Sequence, residues 1–301
     1  MKFSDLNKPG KDKPRPEPPK KAAAKPAPAP AESAKAEAPL KLPELPASPR
    51  TEDREEALKS GNQAYKPRPR EARNAPREPA EPFRELDIKA RAVYSRVMNQ
   101  AGELLRHIDQ PYTEKYEAIL RTCGLAAETL KTNSVLLNYV TFSTAEDYLH
   151  AHTANTAILA LAMGLAMELE QSELGLLGFC AMAHDLGMTG YDQIYRSDTR
   201  LTDEEFAEIT LHTEAGMEKL DRIVDLDYRI KDRAKRIILQ THERLDGSGY
   251  PDRISSEEID PLAQIIGIAD VYEAMTHPRA WRGPLNPPEV IKDLIEKEGR
   301  D

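Results

Sequence analysis

Strand-like patterning is missing from this chain: no run of β-branched residues alternates with polar ones, which excludes a sheet as the framework. Cysteine is scarce. Cys123 and Cys180 are the only two, each in an apolar helical context, so they read as small core residues in a reducing compartment. Long hydrophobic runs are absent as well. Nothing approaches the ~20 apolar residues of a membrane span, and the N-terminus lacks the continuous apolar stretch of a secretory signal. The expectation is a cytoplasmic protein without a membrane span.

Aromatic residues are thin in one part of the chain. Phe3 and Tyr65 are the only ones in residues 1–82, which hold 17 of the 24 prolines among Ala, Lys and Glu. Such a stretch cannot bury enough apolar surface to offset the entropy of ordering it, so 1–82 reads as a disordered Pro/Ala/Lys-rich tail or linker. Charge divides at the same place. The tail carries 18 Lys+Arg against 13 Asp+Glu, the remainder 24 against 38. Mixed signs among prolines make a solvated spacer, and without a dense basic cluster no specific nucleic-acid binding is expected.

From Phe83 onward the periodicity is helical, so the fold class is all-α. Residues 83–145 form a small helical region of two or three helices. One carries the stripe Ala92, Val93, Val97, Ala101, Leu104 and Leu105, and Pro111 marks a break. A degenerate sensor, a dimerising pair that would make a homodimer, and a cap on the next domain all suit this region. A helix from about Ala145 to Leu169 is apolar on nearly every face in its second half, as befits a central core helix. Another spans about Ser172 to Ala183, with Gly187 as its stop. Thr202 through Glu205 form a capping box for one helix carrying Phe206, Ile209, His212 and Leu220. The pair Asp260-Pro261 supplies an N-cap and N1 proline for a helix through Asp270.

Chemistry concentrates in His152, His184, Asp185, His212, His242 and Asp270, each on or at the end of a predicted helix. His212 lies at i+3 from Ile209 and Asp270 at i+4 from Ile266, so both point inward. A buried carboxylate is costly unless paired, and a metal ion is one of the few partners that resolves the cost. Imidazole and carboxylate ligands suit iron, manganese or zinc, and six are more than one tetrahedral ion uses. Two divalent ions sharing Asp185 are the economical arrangement, and such a pair suits phosphodiester hydrolysis. His107, His150 and His277 are assigned surface or capping roles.

The run from Thr241 to Pro251 joins His242 to a breaker-rich turn, Asp246-Gly247-Ser248-Gly249-Tyr250-Pro251. Together with His184-Asp185-Leu186-Gly187 and Ile268-Ala269-Asp270-Val271-Tyr272, it resembles the HD-GYP family over about Asp147 to Arg282. These are HD-domain phosphohydrolases that cleave the bacterial messenger cyclic di-GMP. The resemblance implies an HD-domain helical bundle over 146–301, truncated at its C-terminus, and a metal-dependent phosphodiesterase. It makes the six residues metal ligands, with His184 and Asp185 catalytic, and iron or manganese as the two ions. A metal-activated hydroxide would attack cyclic di-GMP or a related cyclic dinucleotide to give pGpG or GMP. Tyr250, Arg279 and Arg282 would contact the substrate, guanidinium being suited to phosphate oxygens.

Three positions depart from the family pattern. Met188 stands where the HD motif continues with lysine, and Thr241 stands where the signature has the first of two histidines. Tyr148 stands where a three-metal branch carries glutamate, so two metals are expected. The first two substitutions leave an alternative open: a catalytically weak HD-GYP module that binds cyclic di-GMP or a signalling-protein partner.

Overall fold

Helices dominate the described part of the chain, and the computed structural model describes residues 81–110, 116–140, 148–195, 199, 201–223, 226–278 and 282–298. The Pro-rich stretch 1–80 and Pro111 fall outside them. No strand occurs among the described residues. The N-terminal region builds α1 (Glu81–His107), α2 (Tyr116–Thr132) and the single turn α3 (Leu136–Tyr139). The remainder builds α4 (Tyr148–Ala166), α5 (Gln171–Ala183), the turn α6 (Asp192–Tyr195), α7 (Asp203–Ile209), α8 (His212–Lys219), α9 (Tyr228–Gln240), α10 (Pro261–Thr276) and α11 (Pro287–Glu298).

At the centre stands α4, which packs against α1, α2, α5 and α10. Twelve of its residues are buried, among them His152, Asn155, Ile158 and Leu161. A helix apolar nearly all round has no face to give to water, so neighbours must surround it. Small residues let them approach closely. A Cβ on Gly178 of α5 would come within 2.8 Å of Cys123 Cβ on α2. Both cysteines are buried and free, and burial pushes the Cys123 thiol up to about 12, as expected of inert core residues.

Local signals set the helix starts. Thr202 accepts from the Glu205 amide while Glu205 accepts from the Thr202 amide, the reciprocal capping box. Asp260 caps α10 through the Leu262 amide, with Pro261 following. The expected single helix after Thr202 is instead two, α7 and α8, with Thr210 and Leu211 between them. Gly187 differs too: α5 ends at Ala183, and the glycine lies in a 3-10 turn over Leu186–Gly190. Its requirement is steric, because a Cβ there would fall 1.9 Å from the His212 carbonyl oxygen. The HD turn thus rests directly on the start of α8.

Candidate metal centre

Helix ends supply most of the site. His184 is the C-cap of α5 with Asp185 next to it, His212 opens α8, and His242 follows Thr241, the C-cap of α9. His152 and Asp270 come from within α4 and α10. All six expected residues meet. Asp185 Oδ1 lies 3.5 Å from His184 Nε2 and 3.3 Å from His212 Nε2, while its Oδ2 lies 3.4 Å from His152 Nε2. Asp270 sits opposite, 3.2 Å from His152 Nε2 and 3.6 Å from His242 Nδ1. Two groups have ligand atoms within 4.8 Å of one another: His152, His184 and Asp185, and Asp185, His212 and His242. Asp185 is common to both.

The donor set fits cations. Ring Nδ1 of His184 faces the Ala181 carbonyl at 2.8 Å and that of His212 faces the Ile209 carbonyl at 2.6 Å. Each carbonyl can only accept, so Nδ1 carries the proton and Nε2 turns a lone pair inward, the usual arrangement behind a ligating histidine. The His184 Nε2 is buried without a hydrogen-bond partner. His212 Nε2 lies 3.1 Å from His242 Nε2. Lone pairs converging on carboxylate oxygens require positive charge between them.

Without metal, protons take that place. Burial pulls His152 down, but Glu273, Asp185 and Asp270 outweigh it and hold the ring well above the usual imidazole range. Burial opposes His212 likewise, and Asp185 raises it. Burial would raise the carboxylates, yet the histidines hold Asp185 well below its ordinary range and Asp270 at about 2. Burial and the charge on His212 bring His242 down to about 3, leaving it neutral and available as a ligand.

The turn after His242 is latched to it. Tyr250 N–H donates to the His242 carbonyl at 3.2 Å, and Glu243 Oε1 accepts from the amides of Asp252 and Arg253 at 2.7 and 2.9 Å. Gly249 makes this possible, since a Cβ there would meet Glu243 Cα at 2.4 Å. Tyr250 stacks on His242 with ring centroids 4.9 Å apart and 12° between planes, and Phe206 meets Tyr250 edge-on. On the other side Tyr148 stacks on His152 at 5.6 Å.

Arg282 is placed differently from a phosphate-facing side chain. Its guanidinium donates to the carbonyls of Ala274 at 2.8 Å and Met275 at 3.1 Å, at the end of α10. Arg279 lies outside the described residues. Thr241 is buried, and its hydroxyl donates to the Ile237 carbonyl at 3.1 Å, so this position turns back to its own helix. Met188 is buried as well. His277 is the C-cap of α10, but it is interior rather than on the surface, with Nε2 2.6 Å from the Val140 carbonyl.

Sequence reasoning passed over Glu273 and Asn155. Glu273 is 0% exposed and receives His152 Nδ1 at 2.6 Å and Asn155 Nδ2 at 3.0 Å. The available signal was spacing: Glu273 falls three residues after Asp270 and Asn155 three after His152, each on its partner's helix face.

A centre of histidines and aspartates carried on helix ends within an all-α bundle defines an HD-domain protein. The HD domain family's model matches residues 140–301, and the chain belongs to that family. A cyclic di-GMP phosphodiesterase of Pseudomonas aeruginosa is 30% identical over 176 residues, covering 58% of this chain and 42% of that protein. One from Thermotoga maritima is 28% identical over 198 residues, 65% of this chain and 50% of the relative. A 3'3'-cGAMP-specific phosphodiesterase of Vibrio cholerae is 30% identical over 151 residues, 50% of this chain and 28% of the relative. The chain therefore spans half or less of these curated relatives. An HDGYP protein of Bdellovibrio bacteriovorus shares the fold, with a TM-score of 0.56 at 19% identity over 70% of this chain and 66% of that one.

Proposed function

We propose that the protein is a metal-dependent phosphodiesterase acting on cyclic di-GMP or a related cyclic dinucleotide, with products pGpG or GMP. One observation carries the reading: a single carboxylate, Asp185, belongs to two ligand groups whose histidines turn lone pairs inward. The relatives, named for cyclic di-GMP and 3'3'-cGAMP, support the substrate class. His152, His184 and Asp185 would hold one divalent ion and Asp185, His212 and His242 the other, with Asp270 beside His152 and His242 as a further candidate ligand and iron or manganese the suited metals. Such ions supply an acidified water and neutralise phosphoryl charge.

The chain's own residues orient and exclude. Carbonyls of Ala181 and Ile209 fix the tautomers of His184 and His212, and Glu273 fixes that of His152. Tyr250 borders the centre over His242, where it would pack against a bound dinucleotide. Arg282 supports the end of α10 through its carbonyl bonds, and a phosphate contact would have to compete with them.

A second reading rests on Met188 and Thr241. Buried methionine offers no cation to a phosphate and the threonine hydroxyl is committed to Ile237, which favours a module that binds the dinucleotide without cleaving it. Metal analysis and a turnover assay separate the two. The enzymatic reading expects near two equivalents of iron or manganese and conversion of cyclic di-GMP to pGpG or GMP. Tight binding by metal-loaded protein with no product overturns it in favour of the second.

A further inference from the structure

Tyr94 lies on α1, before the 140–301 stretch that the HD domain family covers. Tyr94 is 9% exposed, and its hydroxyl donates to Asn155 Oδ1 at 3.1 Å. Asn155, fully buried, donates from Nδ2 to Glu273 Oε1 at 3.0 Å, and Glu273 Oε2 receives His152 Nδ1 at 2.6 Å. The direction of each bond is determined. A carboxylate only accepts, so Asn155 must turn its amide nitrogen and His152 its Nδ1–H toward Glu273. That leaves the Asn155 oxygen facing Tyr94, which must donate. The remaining His152 nitrogen, Nε2, is directed at the cluster between Asp185 and Asp270, where it would offer its lone pair once a cation replaces its proton.

We propose that α1 is a supporting element of the metal centre, with Tyr94 a positioning residue acting through Asn155 and Glu273 on His152. The inference rests on the reading of His152 as a ligand. Tyr94 is itself held in place: its ring packs against Tyr139 with centroids 5.6 Å apart, and the Tyr139 hydroxyl donates to Asp87 Oδ1 at 2.8 Å. Among the described residues Glu273 also faces His277, whose Nδ1 lies 3.2 Å from Oε1. Loss of Tyr94 leaves Asn155 free to turn, and loss of Asn155 detaches Glu273 from α1. Either change loosens the orientation of His152, the kind of loss that lowers metal affinity.

The test uses the full chain as wild type, Tyr94→Phe, Asn155→Leu and the double variant. Mn2+ affinity is read by chelator competition, cobalt(II) absorption reports ligand geometry, and melting in chelator reports the fold alone. Asn155→Leu is expected to weaken Mn2+ binding by ~10–100-fold and Tyr94→Phe by about tenfold, with altered cobalt spectra and near-unchanged chelated melting. The double variant should bind no more weakly than Asn155→Leu, since the relay is already broken. Wild-type affinity and spectrum in Tyr94→Phe, or effects that multiply in the double variant, overturn the proposal while leaving His152 a ligand. A wild-type chain that cannot be loaded with metal instead overturns the ligand reading itself. Should Tyr94→Phe fail to fold, Asn155→Leu alone decides: unchanged affinity there rejects the relay.

Discussion

Asp185 is the residue common to both candidate ligand groups, so its removal has a distinctive expected outcome. Asp185→Asn keeps the shape and deletes the charge that holds His152 and His212 above their ordinary range. Metal content should fall from near two equivalents to below one, measured by elemental analysis, whereas loss of a single equivalent would show that the carboxylate is not shared. Gly249→Ala has a different signature. The added Cβ would meet backbone atoms of Glu243, Arg244 and His242 at 2.4 to 2.5 Å, and backbone cannot swing aside as a side-chain tip can. The turn must lift, so turnover should fall by more than tenfold, roughly 1.4 kcal/mol or more of transition-state stabilisation; wild-type activity in that variant would show the latch to be dispensable. At this scale the six clustered residues were legible because histidine and aspartate at inward helical positions have few bland uses in such a set. For Glu273 and Asn155 spacing offered only the shared helix face with Asp270 and His152; the bonds they make across helices, which give them their significance, are not contained in it. His277 has the capping role open to it in the sequence, at the C-cap of α10, while its burial against the Val140 carbonyl was not legible for the same reason.

Elements are tied together by a few polar clamps as well as by apolar packing. Arg233 on α9 bonds both oxygens of Glu173 on α5 at 2.6 and 2.7 Å and reaches Asp260, the N-cap of α10, at 3.2 Å. About a third of the arginine and glutamate side chains is exposed, so screening discounts the pair. Arg233→Ala should lower unfolding free energy by roughly 1 kcal/mol in urea denaturation, and a variant as stable as wild type would make the clamp ornamental. Caps were readable from sequence because they are local: Thr202 with Glu205 and Asp260 with Pro261 settle helix starts within four residues. The break between α7 and α8 was not readable. It leaves His212 at a helix start, with its carbonyl against Gly187 of the HD turn, a contact between segments distant in sequence.

For the whole molecule, the buried histidines make stability depend on pH in opposite senses. His242 stays neutral down to about 3, whereas an unfolded histidine accepts a proton near ~6.5. Below ~6.5 the unfolded chain therefore gains protons that the folded chain refuses, and stability falls with acid. Asp185 and Asp270 add to this limb, their contribution being present above ~4 and lost as pH drops. His152 and His212 have raised values, so their contribution is complete below ~6.5 and disappears as pH climbs through those values. Metal-free protein should thus be most stable near pH ~6.5, with melting points lower on both sides. Saturating Mn2+ should reverse the alkaline limb, since the ions replace those protons. A chelated protein whose melting point climbs steadily from neutral to alkaline pH would contradict this assignment.

The latched turn limits how this scaffold can be retuned. His242, Glu243 and Tyr250 form one piece through the Tyr250 amide and the Glu243 carboxylate. Tyr250 also stacks on the His242 ring, so if the proposed function holds, a substitution at Tyr250 that altered substrate preference would also disturb a candidate ligand. Phe206, which meets Tyr250 edge-on from the separate helix α7, offers a lever without that penalty. New selectivity in this chain is more readily reached by altering the residue behind the tyrosine than the tyrosine itself.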